Sequence, residues 1–119
     1  MSQRTQRVQK LARRVLGELI QQLKDPRIGF VTVGAVRVTP DLRHIRAFVS
    51  VLGSPEEVET TMRGLQSAAP HLRAEMGHEM KMKYVPDLVF ELDDTPEHAQ
   101  RLEELMRKLH DEEGEDGDR

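Results

Sequence analysis

The chain contains two kinds of hydrophobic periodicity, one helical and one strand-like. Their order along the sequence limits the folds that the chain can adopt. Apolar residues recur at steps of three and four, as in an amphipathic helix, over residues 6–24, 54–80 and 95–110. They alternate with polar residues, as in a half-buried strand, over residues 30–38, 45–52 and 87–92. A three-stranded sheet with helices packed on one face would bury all of these stripes, so the sequence predicts an α+β domain.

The first predicted helix, residues 6–24, has two unlike faces. Its apolar stripe is formed by Val8, Leu11, Ala12, Val15, Leu19 and Leu23. At about 100° per residue, the opposite side carries the basic residues Arg7, Lys10, Arg13, Arg14 and Lys24. Asp25-Pro26 is expected to end the helix, because the residue before a proline is driven out of helical geometry.

Short sequence signals predict an irregularity in the first strand and the start of the second helix. The alternation in residues 30–38 changes phase at Gly34, which predicts a bulge or sharp bend in the first strand. Ser54, Pro55 and Glu57 supply a cap, a first-turn proline and a capping box, so a helix is expected directly after the second strand.

Pro70 interrupts the second helical pattern. A proline inside a helix lacks the N–H donor and its ring clashes with the preceding turn. Leu72, Met76 and Met80 nevertheless continue the helical period beyond it. Two alternatives follow, namely two helices or one bent helix, with a kink at residues 67–70.

Composition excludes several kinds of protein. The 119 residues fit one domain. There is no cysteine, so disulfides, thiolate zinc sites and cysteine nucleophiles are excluded. Aromatic residues make up only 3%, which argues against recognition of nucleic acid by base stacking on aromatic platforms. No apolar run approaches the roughly 20 residues that span a bilayer, and a cytoplasmic location is expected.

Charge is distributed unevenly along the chain. Residues 1–90 carry 14 Lys and Arg against 9 Asp and Glu, whereas residues 91–119 carry 4 against 12. A basic body with an acidic end is a pattern found in proteins with polyanionic partners. We expect one domain over residues 1–110 and a disordered acidic tail over residues 111–119, which has nothing apolar to bury.

An enzymatic interpretation finds little support in the residues. His71, Glu75 and His78 share one helical face, as a metal site would require, but the His-Glu-x-x-His zinc motif is absent. No glycine-rich phosphate loop and no nucleophile motif is present. The residues therefore argue against a metal site, a phosphate-binding loop and a catalytic nucleophile.

Several short blocks follow one another in a fixed order between about Arg4 and Leu109. They are Lys24-Asp25-Pro26-Arg27-Ile28-Gly29, Val36-x-Val38 with Asp41-Leu42, Val49-Ser50-Val51-Leu52-Gly53, Arg73, and Pro86-Asp87-Leu88-x-Phe90-x-x-Asp93. One block alone would be a weak signal, but the ordered set is specific. The chain resembles the ribosome-binding factor A family over nearly its whole length.

The resemblance implies a type II KH-like fold, with the order α-β-β-α-kink-α-β followed by a C-terminal helix. It also implies an RNA-binding protein that is not an enzyme and needs no cofactor or metal. Such a protein assists late maturation of the ribosomal RNA of the small ribosomal subunit and matters for growth in the cold. The implied partner is the immature small subunit, with no membrane and no small-molecule substrate. Nothing in the sequence demands a dimer.

The predicted RNA-binding residues are mainly basic. The first helix supplies the basic face, and the exit of that helix, the corner at Pro70 and the approach to the third strand supply the rest. In chain order they are Arg4, Arg7, Lys10, Arg13, Arg14, Lys24, Arg27, Ser67, Ala68, Ala69, His71, Arg73, Lys81 and Lys83. At the corner, Ala68-Ala69-Pro70 matches the family's Ala-x-Gly, and proline in place of glycine removes a backbone donor.

Each assignment has an alternative. The basic face could be an ordinary solvated surface, and Lys81 and Lys83 could belong to a polar loop. Arg37, Arg43 and Arg46 are interpreted first as charges that protect a sheet edge, with RNA contact as the alternative. For the whole chain, the alternative function is a protein-interaction module that docks through helix 95–110.

Overall fold

The computed structural model describes residues 3–93 together with Glu104, Arg107 and Lys108. Within residues 3–93 the elements are α1 (Gln3–Gln21), β1 (Phe30–Val38), β2 (His44–Leu52), α2 (Pro55–Glu79) and β3 (Asp87–Leu92). The predicted α+β class and three-stranded sheet are confirmed. Helix 95–110 lies outside the described residues except for the three named above, which are helical. The acidic tail, 111–119, also lies outside them.

β2 is the central strand of the sheet. β1 pairs with it antiparallel and β3 pairs with it parallel, which leaves the outer edge of β1 unpaired within the sheet. Val33 stands opposite Val49 and Val36 opposite Ala47, so two residues of β1 face Phe48 alone. This two-against-one pairing is the β-bulge that the phase change at Gly34 predicted.

The predicted limits of the first helix are wrong by three residues at both ends. α1 already ends at Gln21, because the N–H groups of Gln22 and Leu23 donate to the carbonyls of Leu19 and Ile20, three residues back. Such bonds tighten the last turn and close the helix before Asp25-Pro26 is reached. The predicted stripe is largely confirmed, because Ala12 and Val15 are buried and Val8, Leu19 and Leu23 pack partly against the core. Thr5, Leu16 and Ile20 are buried as well. Leu11, predicted in the stripe, is 37% exposed.

α2 is one continuous helix that passes through Pro70, so the alternative of two separate helices is wrong. The buried residues Leu65 and Leu72 are seven positions apart and Leu72 and Met76 four, so the apolar stripe keeps its helical phase across the proline. Burial of that stripe holds the helix together although Pro70 cannot donate to the carbonyl of Gln66.

The start of α2 follows the predicted capping box. The backbone N–H of Glu57 donates to the Ser54 hydroxyl at 3.2 Å, and the Glu57 carboxylate accepts from the Ser54 N–H at 3.1 Å. Both bonds satisfy donors that the first turn of a helix otherwise leaves unpaired.

Both helices pack on the same face of the sheet. Leu16 of α1 and Leu65 and Leu72 of α2 are fully buried against Ala47 and Val49 of the central strand. In α2, Thr61 is buried and fixes the segment before β1, because it accepts from the Gly29 N–H at 3.1 Å and donates to the Arg27 carbonyl at 3.3 Å. None of the helices in residues 3–93 is long and apolar enough to cross a membrane.

Candidate nucleic-acid interface

The basic residues of α1 lie on the side of the helix that faces away from the core. Ala12 and Leu16 are fully buried and fix the rotation of the helix on the sheet. Arg7, Lys10, Arg13 and Arg14 are consequently exposed. The structure thus brings four of the predicted RNA-binding residues onto one continuous surface.

This surface continues into the free edge of β1. Lys10 and Arg13 line two adjoining depressions of about 420 and 460 Å³ between α1 and β1, and Arg14 lines the second. Gly34 and Arg37 of β1 line the first depression, so the bulge opens into it. We call this surface, lined by Lys10, Arg13, Arg14, Gly34 and Arg37, the α1–β1 groove.

One hydrogen bond ties α1 to the strand edge along this groove. The side-chain oxygen of Gln9 accepts from the backbone N–H of Val38 at 3.0 Å. A side chain thereby satisfies a donor that the edge strand does not use in the sheet. The distance between the basic helix face and the strand edge is therefore fixed by the fold.

A second group of basic residues meets at one end of the sheet. Arg4 from α1, Arg43 from the turn between β1 and β2, and Lys81 and Lys83 from the segment before β3 line a groove of about 680 Å³ together with Tyr84. We call it the turn groove. Arg4, Lys81 and Lys83 were all predicted as RNA-binding residues, and the structure brings them together from opposite ends of the domain.

Ion pairing separates the basic residues into two classes. Within residues 3–93, Arg27, Arg46, Arg63 and Arg73 are each within 4.0 Å of an aspartate or glutamate oxygen. In the same part of the chain, the basic residues of the α1–β1 groove and of the turn groove take part in no such pair. Glu18 lines the second depression of the α1–β1 groove, and Asp41 and Asp87 line the turn groove. Cations without an ion-pair partner within residues 3–93 nevertheless outnumber these carboxylates in both grooves, which favours contact with a polyanion.

Arg73, predicted to bind RNA, makes structural contacts within the fold. Its Nε donates to the Pro86 carbonyl at 2.9 Å and its guanidinium to the Val85 carbonyl at 3.1 Å. The same guanidinium lies 3.4 Å from the Asp87 carboxylate. These contacts attach the entry of β3 to α2, and they engage Nε and one terminal nitrogen of the guanidinium.

Arg27 lies apart from both grooves. Its guanidinium donates to the Asp25 carboxylate at 2.7 Å, and its backbone N–H donates to the same carboxylate at 2.9 Å. These hydrogen bonds, the side-chain ones first, hold the pKa of Asp25 below its ordinary value. Glu56 and Glu57 line the same depression as Arg27, so this end of the molecule is less attractive to an anion. Lys24, also predicted, is exposed but lines neither groove.

The predicted corner at Pro70 is not joined to either groove. Ser67 and His71 are exposed on α2, and Ala68 and Ala69 pack partly against the core. Because α2 is continuous here, no loop brings the backbone N–H groups out toward a ligand, as a Gly-x-x-Gly loop does in KH domains. Among the described residues, no three His, Asp or Glu side chains form a group that could hold a metal ion, and His71, Glu75 and His78 are among those residues.

Sequence reasoning set aside three residues that line the grooves. Arg37 and Arg43 were interpreted first as edge protection, but they face the α1–β1 groove and the turn groove. Tyr84 was not singled out, because a single aromatic gives no pattern. Arg46 lies on the central strand and pairs with Glu91 of β3 at 3.3 Å, so it protects no edge.

Comparison with known proteins gives a consistent picture. Residues 4–106 match the family model described as ribosome-binding factor A. Ribosome-binding factor A of Halothermothrix orenii is 41% identical over 115 residues, covering 96% of this chain and 94% of the relative. The crystal structure of ribosome-binding factor A from Thermus thermophilus matches with a TM-score of 0.67 and 30% identity, over 74% of this chain and 94% of the other.

A further match is a homology model that was fitted into the map of a ribosomal complex. Coordinates of Thermus thermophilus ribosome-binding factor A, fitted into a cryo-EM map of its complex with the 30S subunit, match with a TM-score of 0.60 and 31% identity. They cover 70% of this chain and 88% of the other. The α+β architecture is KH-like, as the sequence predicted.

Proposed function

The chain belongs to the ribosome-binding factor A family, and from this premise we propose that it binds the small ribosomal subunit. The proposed contact is with folded ribosomal RNA, through the α1–β1 groove and the turn groove. We propose further that binding assists late maturation of that RNA and that the chain catalyses no reaction. The proposed partner implies a cytoplasmic location.

The observation that carries this proposal is the row of unpaired cations beside the open edge of β1. Arg7, Lys10, Arg13 and Arg14 are exposed and form no ion pair within residues 3–93. Phosphate groups that approach such a row release their condensed counterions, which makes binding favourable and strongly dependent on salt. Contacts of this kind fix position on folded RNA without reading its sequence.

The proposed mechanism uses binding energy alone. A protein that binds one arrangement of RNA helices more tightly than another shifts the equilibrium toward the first arrangement by the difference in affinity. The α1–β1 groove suits this role because α1 is held on the sheet by buried residues and by the bond from Val38 to Gln9. A rigid row of charges discriminates between RNA arrangements better than a mobile one.

Reversal of charge on α1 tests the proposal. We expect the triple variant Arg7→Glu, Lys10→Glu and Arg14→Glu to lose co-sedimentation with small subunits in a sucrose gradient. The matched control is Arg46→Glu, Arg63→Glu and Arg107→Glu, which changes the net charge equally at exposed sites elsewhere. The control is expected to co-sediment as the wild type does.

Thermal unfolding of both variants establishes that each is folded. Unchanged co-sedimentation of the folded α1 variant would contradict the proposed interface. Co-sedimentation that does not weaken as salt rises would instead indicate apolar docking on a ribosomal protein.

A further inference from the structure

The turn groove combines features that phosphate binding alone does not require. It has a volume of about 680 Å³, larger than the depressions of the α1–β1 groove and within the range of about 300–1,000 Å³ typical of pockets for small organic ligands. Val8, Leu42 and Met82 give it a partly apolar wall. Tyr84 is 77% exposed at the same place.

The backbone around Tyr84 is held firmly on its C-terminal side. Arg73 donates to the carbonyls of Val85 and Pro86, and Pro86 is buried. Val85 also packs tightly on α2, since a Cβ placed on Gly77 would lie 2.6 Å from Cγ2 of Val85. An exposed aromatic ring is thus attached to a fixed backbone, which lowers the entropy lost when a ligand stacks on it.

The wall of the groove contains two residues in a backbone conformation that side chains seldom adopt. Lys81 has a φ of 53° and Leu42 a φ of 59°, and they are the non-glycine residues with positive φ in the described chain. Lys81 follows the C-cap of α2, where its N–H donates to the His78 carbonyl and the Met82 N–H donates to the Gly77 carbonyl. Glycine usually occupies that position of a Schellman motif. Such conformations concentrate at binding sites, where the side chain is needed.

The charges of the groove favour an anion. Arg4, Arg43, Lys81 and Lys83 form no ion pair within residues 3–93. Asp41 accepts from the Thr39 hydroxyl at 2.6 Å and from the Arg43 N–H at 3.1 Å, and these bonds lower the pKa of Asp41. Asp87 lies 3.4 Å from Arg73 and 3.6 Å from His44. Both carboxylates are therefore engaged by protein groups.

We propose that the turn groove binds an unpaired nucleotide of RNA, with the base stacked on Tyr84 and the adjoining phosphates on Lys81, Lys83 and Arg43. This inference rests on the proposed RNA-binding function and adds the class of nucleotide that the site takes. A base inside a duplex presents no free face, so the groove selects a loop, a bulge or a strand end. One aromatic ring suffices for this role, because each stacked base needs only one platform.

The composition of the chain supplies a direct probe. Tyr84 is its single tyrosine and there is no tryptophan, so tyrosine emission reports on this residue alone. With the full chain at low salt, we expect a short single-stranded oligouridylate to quench that emission saturably. A blunt-ended, fully paired RNA duplex is expected to bind through the α1–β1 groove with little quenching.

Substitution of Tyr84 is the second test of the proposed nucleotide site. We expect Tyr84→Ala to weaken oligouridylate binding about tenfold or more, as measured by anisotropy of labelled RNA, and Tyr84→Phe to bind within about twofold of the wild type. Because Tyr84 is exposed, both variants should unfold at the wild-type temperature. Oligouridylate binding that survives Tyr84→Ala, unchanged tyrosine emission on binding, or equally tight binding of oligoglutamate would each overturn the inference.

The two proposals fail in different ways. A wild-type chain that co-sediments with small subunits but shows no change in tyrosine emission with oligouridylate contradicts the nucleotide site alone. A wild-type chain that ignores small subunits and both RNA probes at low salt contradicts the proposed function itself.

Discussion

The α1–β1 side and the α2 side of the molecule contain the same kinds of charged residues and use them differently. On α2, Arg63 pairs with Glu59 one turn away and Arg73 is bound to the entry of β3. On α1, the basic residues have no carboxylate partner within residues 3–93 and stand beside an open strand edge. A count of charges therefore does not distinguish the two sides, whereas the pairing state of each charge does.

The comparison distinguishes α2, which supports the fold, from α1, which is proposed to contact RNA. α2 buries the large side chains Leu65, Leu72 and Met76 and attaches the segments before β1 and before β3. α1 buries Leu16 and Ile20 on one side and exposes a basic face on the other. Substitutions on the α2 side should consequently change stability, and those on the exposed side of α1 should change binding.

The largest expected effect concerns Arg73. Arg73→Ala removes two hydrogen bonds from a charged donor to backbone carbonyls, and we expect a loss of about 2–3 kcal/mol in the free energy of unfolding, measured by urea denaturation. Affinity for RNA should stay within about threefold of the wild type. A variant that is as stable as the wild type but no longer binds RNA would show that Arg73 contacts RNA. It would contradict the difference between the α1 and α2 sides.

The next largest effect on the free energy of unfolding is expected from alanine substitutions of two helical glycines. A Cβ on Gly64 of α2 would lie 2.7 Å from Cγ1 of Ile28, whereas Gly17 of α1 has nothing within 4 Å. We expect Gly64→Ala to lower the free energy of unfolding by about 1–2 kcal/mol through overpacking. Gly17→Ala should raise it by about 1 kcal/mol through helix propensity. Equal shifts of the thermal midpoint in the two variants would contradict the difference in packing.

A substitution of Lys81 is expected to change the stability of the fold and the affinity for RNA in opposite directions. Lys81→Gly relieves a left-handed conformation, so we expect about 1 kcal/mol of added stability together with several-fold weaker RNA binding. Lys83→Ala removes the same charge in the same groove without a change in backbone strain. It should weaken RNA binding similarly and leave the unfolding midpoint unchanged. Tighter binding by the glycine variant would be incompatible with a charge contact there.

The smallest effect is expected at the start of α2. In the folded chain, hydrogen bonds with the backbone and side chain of Ser54 hold the pKa of Glu57 below its ordinary value of 4.5. Because the folded pKa is the lower one, the contribution of Glu57 to stability is complete above about pH 4.5 and is lost as the pH falls through the folded pKa. Urea midpoints should therefore fall more steeply with acid for the wild type than for Glu57→Gln. Parallel profiles would contradict a contribution of the capping carboxylate to stability.

Local signals in the sequence predicted much of the fold. The bulge at Gly34 followed from a phase change in the alternation, and the capping box at Ser54 from residue spacing. The end of α1 and the continuity of α2 through Pro70 did not follow from them. The end of α1 is set by the bonds of Gln22 and Leu23 to carbonyls three residues back, and the continuity of α2 by burial of an apolar stripe that keeps its phase across Pro70.

The candidate site could be predicted only in part. The basic face of α1 follows from helical spacing alone. The engagement of Arg73 does not, because the rest of α2 and a loop separate it in sequence from its partners Val85, Pro86 and Asp87. The turn groove joins residues from three distant segments, so its contents could not be predicted from one stretch of sequence.

The salt dependence of RNA binding measures the central claim most directly. A plot of log K against log salt is compared for the wild type, for Lys10→Gln with Arg14→Gln, and for Arg46→Gln with Arg63→Gln. If the unpaired cations contact phosphates, the slope should become shallower by about 2 in the first variant, since each lost contact removes about 0.9, and should not change in the second. Identical slopes in both variants would contradict the distinction between paired and unpaired charges.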